Sequence, residues 1–425
     1  MNEIRNRSIR LGRGCGTTAA LVCAAALAVA CAACSPAATS SPGVTLALTH
    51  GTLIDGTGAA PVADATVLIG GDRIASAGPA ATTSIPAGTR TIDLHGATIL
   101  PGFIDAHVHQ GFSESNLRAW AQGGVTTVRD EGAPIAQIDG LKEFRARTSK
   151  DPQLARLISF GSMLTVPGGF GQRFANSVEG FRLAVEDEFE KGVDGVEITY
   201  EDGFDDGYTG TLDGIEIAPK NGPALRHGLP RPTAEELKAA VEAAHARGLP
   251  VSGHLTQGKY LDELLDAGVD DIAHLPTDEV SNDSLLRMAA ADVYIVTTFT
   301  GLDNINAPGQ RDALMYVVKT GGKVVLGSDN GGGSADFEPG IPMSDLDQMA
   351  EAGLDPMDVL VASTRNAAHV CGLDGKVGTL TPGLAADILV VAGNPLDDLR
   401  ALEQIRLVVH GGTIIRDELT GAAAS

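Results

Sequence analysis

The stretch 101-PGFIDAHVHQ-110 sets two histidines, His107 and His109, two positions apart at the end of an apolar run. A strand has a side-chain period of two, so both imidazoles leave the same face. Two neutral imidazoles converging on one point form a ligand pair for a transition metal. The plain alternative is an exposed strand end carrying two solvated histidines. The chain has ten histidines in 425 residues, and the placement of the other eight decides between the two.

Outward from this stretch the text alternates between strand-like and helix-like segments. Candidate strands are Thr98–Ile104, Val125–Arg129, Ala155–Phe160, Gly195–Thr199, Leu249–Gly253, Asp271–Ala273, Val293–Thr298 and Lys323–Gly327. Helices fall between them. In 231-RPTAEELKAAVEAAHARG-248, Thr233 and Glu236 are spaced as a capping box and Gly248 is the stop. "YLDELLDAG" and "SNDSLLRMAAA" read as shorter helices. Eight βα units in this span predict an α/β fold, a closed (β/α)8 TIM barrel. An open doubly wound sheet is the rival, but no G-x-G-x-x-G opens a helix after a first strand. "GGFGQ" and "NGGGS" lack the context of a phosphate loop and read as loops over the site.

In such a barrel the chemistry sits at the C-terminal ends of the strands. His107 and His109 close the first candidate strand, His254 ends the fifth, His274 the sixth and Asp329 the eighth. Four histidines and an aspartate in barrel order are far more specific than one H-x-H pair. The remaining histidines, His50, His95, His227, His245, His369 and His410, fall in flanks, helices or a loop and are read as structural. Tyr200 and Arg129, also at strand ends, are candidate contacts for a substrate carboxylate; Arg129 has Asp130 and Glu131 as alternative structural partners.

The flanks have a different texture. Short alternating segments with glycine breaks fill residues 44–100 and return in residues 371–425. They bracket the barrel domain at 101–370. Before them, residues 1–34 join a basic start, with Arg5, Arg7, Arg10 and Arg13, to an Ala-rich apolar run, and residues 35–43 form a small-residue linker. That order describes an export signal. "AVAC" and "CAAC" make Cys31 and Cys34 candidates for lipid attachment, and an uncleaved anchor is the alternative. The expected location is therefore the extracytoplasmic side of a membrane, or secreted. Only Cys371 lies in the body, so no disulfide framework is expected. With 31 basic against 54 acidic residues the net charge is −23. No basic patch is visible, which argues against a nucleic-acid partner; a small-molecule substrate is expected.

At this point the residues resemble a known family. "GTLIDGTG", "ILPGFIDAHVH", "GVTTVRD", "LPVSGHL", "DIAHL", "VVLGSD" and "GTLTPGLAADILVV" look like the amidohydrolase superfamily, and within it the imidazolonepropionase-like branch. The resemblance covers about residues 44–418. It implies that the two flanks join into one composite β-sandwich beside the barrel. It also implies one or two divalent transition-metal ions, zinc first. His107 and His109 would hold one metal, His254 and His274 a second, and Asp329 would contact the metal and the attacking water. Many members carry a carboxylated lysine at the end of strand four; here "GVDGVEITYEDG" offers Glu197, a shorter carboxylate. The alternative is a mononuclear site of His107, His109, His254 and Asp329, with His274 on the substrate.

Imidazole and carboxylate ligands suit a metal that lowers the pKa of bound water to ~7 and polarises a carbonyl. Asp329 would then move the proton from water to the leaving nitrogen, with His274 beside it in the catalytic set. The expected activity is hydrolysis of a C–N bond in a cyclic amide, a small amide or a dipeptide-like compound. The same machinery would serve a lactonase, esterase or phosphotriesterase-like enzyme. A surface lipoprotein that keeps the barrel only for binding is the non-catalytic alternative.

Overall fold

The computed structural model describes residues 43–203, 211–212, 215–216, 228–302, 308–331 and 339–419. The proposed export segment with Cys31 and Cys34, most of the stretch between Glu201 and Pro232, and the glycines of "NGGGS" after Gly331 lie outside these.

Eight parallel strands form the barrel: Phe103–Val108, Val125–Asp130, Arg156–Ser159, Val196–Thr199, Val251–His254, Asp271–Ile272, Tyr294–Val296 and Lys323–Val325. Each corresponds to a candidate segment read from the sequence. Between the third and fourth strands, Asp194 N donates to Ser159 O at 2.8 Å and Glu197 N to Phe160 O at 3.1 Å. The ring closes from the eighth to the first, where Ala106 N donates to Leu326 O at 2.9 Å and Asp329 N to His107 O at 2.8 Å. The first strand is buried along its whole length, as a parallel strand covered on both faces must be.

One boundary differs from the reading of Thr98–Ile104 as a single strand. Thr98–Pro101 pairs antiparallel with Ile388–Val391 in a separate sheet, and the barrel strand begins only at Phe103. The chain changes sheets at Gly102, where a Cβ would sit 2.3 Å from Thr126 Oγ1. Pro101, with no N–H to give a ladder, marks the same break.

Both flanks contribute to that separate sheet. Its order is Thr413–Asp417, Ile405–His410, Ile388–Val391, Thr98–Pro101, Leu46–Leu53, Val62–Gly70 and Arg73–Pro79, with Arg90–Asp93 also paired to Leu46–Leu53. The expected sandwich is thus one continuous eight-stranded sheet. Its far strand turns back on the near one: Ile74 N donates to Leu384 O and Gly383 N to Ile74 O, at 2.9 and 2.8 Å. The curl encloses a core of Leu48, Val67, Ile69, Ile99, Val390 and Val409.

Helices wrap the barrel as expected. Helix Ala234–Ala246 carries the full capping box of Thr233 and Glu236 and ends at Arg247, with Gly248 left-handed just beyond at φ 72°. Leu261–Ala267 and Asn282–Ala290 follow the fifth and sixth strands. Among the described residues no helix is long and apolar enough to cross a membrane.

Candidate metal centre

The strand ends bring His107, His109, Glu197, His254, His274 and Asp329 around one small cavity, which Met163 and Phe170 complete. Every one of these six was singled out in the sequence. Their ligand atoms fall into two clusters, His107–His274–Asp329 and Glu197–His254–His274, with all atoms of a cluster within 4.8 Å of each other. His274 belongs to both. Its ring centroid lies 4.5 Å from that of His107 and 4.5 Å from that of His254.

The first cluster is built by the closure of the barrel. Asp329 accepts backbone strain to reach it, with φ 57° in the left-handed region. Its Oδ1 lies 2.9 Å from His109 Nε2 and 3.7 Å from His107 Nε2. Gly327 makes the approach possible, because a Cβ there would lie 2.3 Å from Val296 Cγ1 and 2.8 Å from His107 Cβ. Asp105 braces the same junction by accepting from His107 N at 3.3 Å, Ser328 N at 2.9 Å and Ser328 Oγ at 2.6 Å. Burial pushes its carboxyl up to about 6 despite these bonds.

The second cluster comes from strands four to six. Register pairing sets Thr199 against His254. Glu197 Oε1 is 3.4 Å from His254 Nδ1, which in turn is 3.0 Å from His274 Nε2. The Phe170 ring lies 5.2 Å from the His254 ring at 30°, so the "GGFG" loop supplies an apolar wall.

Electrostatics separate the roles. Burial would raise the Asp329 carboxyl, but His109, His107 and His254 outweigh it and hold it below the ordinary range, so it is ionised. Burial, reinforced by the charges of His107, His254 and His109, holds His274 well below the usual imidazole value, so it is neutral. Burial also opposes charge on His254, yet Glu197 and Glu201 carry it up to about 10. A cation in the cluster would take the place of that proton.

The donor set fits a divalent transition metal. His107 Nε2 and both oxygens of Glu197 are fully buried without a hydrogen bond of good geometry, a costly arrangement that a cation relieves. In His107 and His274 the ring nitrogen facing away from the clusters has a polar neighbour of its own. His107 Nδ1 is 3.1 Å from Glu131 Oε2 and 3.2 Å from Ala273 O. His274 Nδ1 is 3.1 Å from Thr298 Oγ1, and Thr298 is itself left-handed at φ 52°. Metal-binding histidines are oriented in this manner. Sequence reading missed Glu131 and Thr298 in this role; both lie just past strand ends, which is the one signal available.

Two candidates stand elsewhere. Arg129 is fully buried away from the cavity lining. Its Nε donates to Ala106 O, its Nη atoms to both oxygens of Asp271 at 2.8 and 3.1 Å, and Glu131 Oε1 is 3.0 Å from Nε. With its donors engaged it cannot grip a substrate carboxylate, and the expectation is corrected: Arg129 is a scaffold ion. Tyr200 is buried edge-on to Tyr260 at 5.6 Å, with the Arg231 guanidinium 5.5 Å over its ring. It does not line this cavity. The structural histidines behave as read: His50, His95, His245 and His369 pair with aspartates, and His410 contacts Pro152 O. His227 lies outside the described residues.

The sequence and the fold both have counterparts among known proteins. Residues 98–415 match the sequence model of the Amidohydrolase family. The chain is 26% identical over 394 residues to the imidazolonepropionase of Deinococcus radiodurans, covering 85% of this chain and 92% of that protein. Among solved structures, a Xaa-Pro dipeptidase with bound methionine superposes with TM-score 0.71 at 22% identity, covering 87% of this chain and 99% of the other. The A. niger ochratoxinase does so with TM-score 0.71 at 19% identity, covering 88% and 96%. At these identities the structural matches speak for the fold.

Proposed function

The chain belongs to the amidohydrolase family and resembles its imidazolonepropionase-like branch; from that premise we propose that this hydrolase of C–N bonds acts on a cyclic amide, a small amide or a dipeptide-like compound, with zinc as its metal. The observation that carries the reading is the pair of buried ligand clusters sharing His274 on one cavity.

In this reading His107, His109 and Asp329 hold one divalent ion, and Glu197, His254 and His274 hold a second. When bound, such ions supply Lewis acidity toward a carbonyl and make water acidic enough to attack near neutral pH. The chain's own residues do the rest. Asp329, ionised and fixed by the barrel closure, accepts the proton of the attacking water. As water's oxygen bonds to the carbonyl carbon and the C–N bond breaks, Asp329 returns that proton to the departing nitrogen. His274, neutral and held by Thr298 at Nδ1, keeps its Nε2 lone pair on the side of His254 and Glu197. Met163 and Phe170 exclude water from one side of the cavity.

A panel of lactams, N-acyl amino acids and dipeptides, with lactones and an activated ester as controls, tests the reading. Turnover of at least one amide, abolished by a chelator and restored by zinc, is expected. Turnover of lactones alone would replace it with a C–O hydrolase.

A further inference from the structure

The fourth strand contributes two acidic residues to the centre. Glu197 lies in the strand, and Glu201 follows it by two residues. The Glu201 side chain is 1% exposed, and its Oε2 lies 3.3 Å from His254 Nε2. Neither atom makes a hydrogen bond of good geometry, with the other or with any further described residue, so the contact is that of a buried ion pair. His254 therefore stands between two buried carboxylates, Glu197 at Nδ1 and Glu201 at Nε2. The two sides are not equivalent: Nδ1 faces both His274 Nε2 and Glu197 Oε1, the other two residues of the ligand cluster, whereas Nε2 faces Glu201.

We propose that Glu201 is a positioning residue for His254, holding the proton on Nε2 so that Nδ1 presents its lone pair to the cluster of Glu197 and His274. A neutral imidazole has two tautomers, and the hydrogen bond at one nitrogen selects which nitrogen is left for a metal. His107 is handled in the opposite sense, with Glu131 at Nδ1 and Nε2 toward Asp329. His274 is handled like His107, with Thr298 at Nδ1. In all three the partner sits on the nitrogen that faces away from the cluster, and Glu201 is that partner for His254. A full carboxylate also adds negative charge beside the cluster, which favours a divalent ion there.

The inference rests on the metal-binding reading above, and its test separates the two. Zinc-loaded wild-type, Glu201→Gln and Glu201→Ala proteins are compared by chelator competition and by long-range ¹H–¹⁵N spectra of ¹⁵N-histidine-labelled samples. In the wild type, His254 should carry metal on Nδ1 and a proton on Nε2. Glu201→Ala should weaken one metal equivalent by ~10–100-fold and mix the His254 tautomers. Glu201→Gln, whose amide oxygen still accepts from Nε2–H, should keep the tautomer and recover most of the affinity. Unchanged affinity and tautomer in Glu201→Ala, metal on Nε2 in the wild type, or equal losses in both variants would overturn the inference while leaving the metal reading intact. A wild-type protein with no metal at His254 would overturn both.

Discussion

His254 Nδ1 lies 3.0 Å from His274 Nε2, with both rings buried. At that separation the two nitrogens cannot both present lone pairs unless a proton or a cation lies between or beside them. The proton is accounted for: Glu197 and Glu201 overcome burial and keep His254 protonated up to about 10, while His274 stays neutral. The arrangement is thus ready to exchange a proton for a metal ion. Glu197, close to His254 Nδ1 and otherwise without a good hydrogen bond, is the anion that would gain most from the exchange.

Glu197→Gln should therefore lower the occupancy of one metal equivalent, because a neutral amide is a poor ligand. Metal content after dialysis checks this. Two full equivalents in the variant would make Glu197 a substrate contact or a structural residue.

Arg129→Met should act on stability rather than on substrate affinity. The guanidinium is bound to Asp271 and Glu131 in full burial, and removing one partner of a buried ion pair costs about 3–5 kcal/mol. Denaturant melts should show that loss, and any residual activity should keep its KM. A stable variant with a raised KM would return Arg129 to the substrate.

Glu188 gives a pH signature away from the centre. Burial raises its carboxyl from 4.5 to about 7, although Ser162 N donates to it at 3.1 Å. The folded state holds this proton more tightly than the unfolded state. The stability it supplies is present in full below about 4.5 and is lost as pH rises through about 7. At about 1.4 kcal/mol per unit, the loss is on the order of 3 kcal/mol. Glu188→Gln cannot ionise, so relative to wild type it should gain stability between pH 5 and pH 8. An equal difference at both pH values would contradict this.

The proposed export signal is testable residue by residue. Cys31→Ala and Cys34→Ala, made singly, should show which cysteine carries lipid, and the double variant should be released or misprocessed. A double variant that stays in the membrane with its signal intact would point to an uncleaved anchor.

The barrel and most of its centre were legible because short apolar, β-branched runs stop abruptly at His107, His254, His274 and Asp329, and such stops mark strand ends, whereas Glu197, inside its strand, was reached only through the family resemblance. What escaped lies just beyond those stops. Glu131, Glu201 and Thr298 occupy strand-to-helix turns, where periodicity no longer says which way a side chain points. Arg129 was misread for a related reason. Its partner Asp271 is 142 positions away, and nothing local distinguishes a strand-end arginine in the scaffold from one in the cavity. The separate sheet was legible as β-structure, but its curl depends on pairing between residues 74 and 384, a contact that no local pattern announces.

The most direct test of the account is the amide turnover of Asp329→Asn set against wild type, with metal content read in the same samples. Asparagine keeps the shape and one oxygen but cannot carry a proton. The variant should stay folded, keep most of its metal and lose at least the ~10²–10⁴-fold typical of a missing general base. Wild-type turnover in the variant, or a folded wild-type protein that retains no transition metal and hydrolyses amides unchanged by a chelator, would contradict the account.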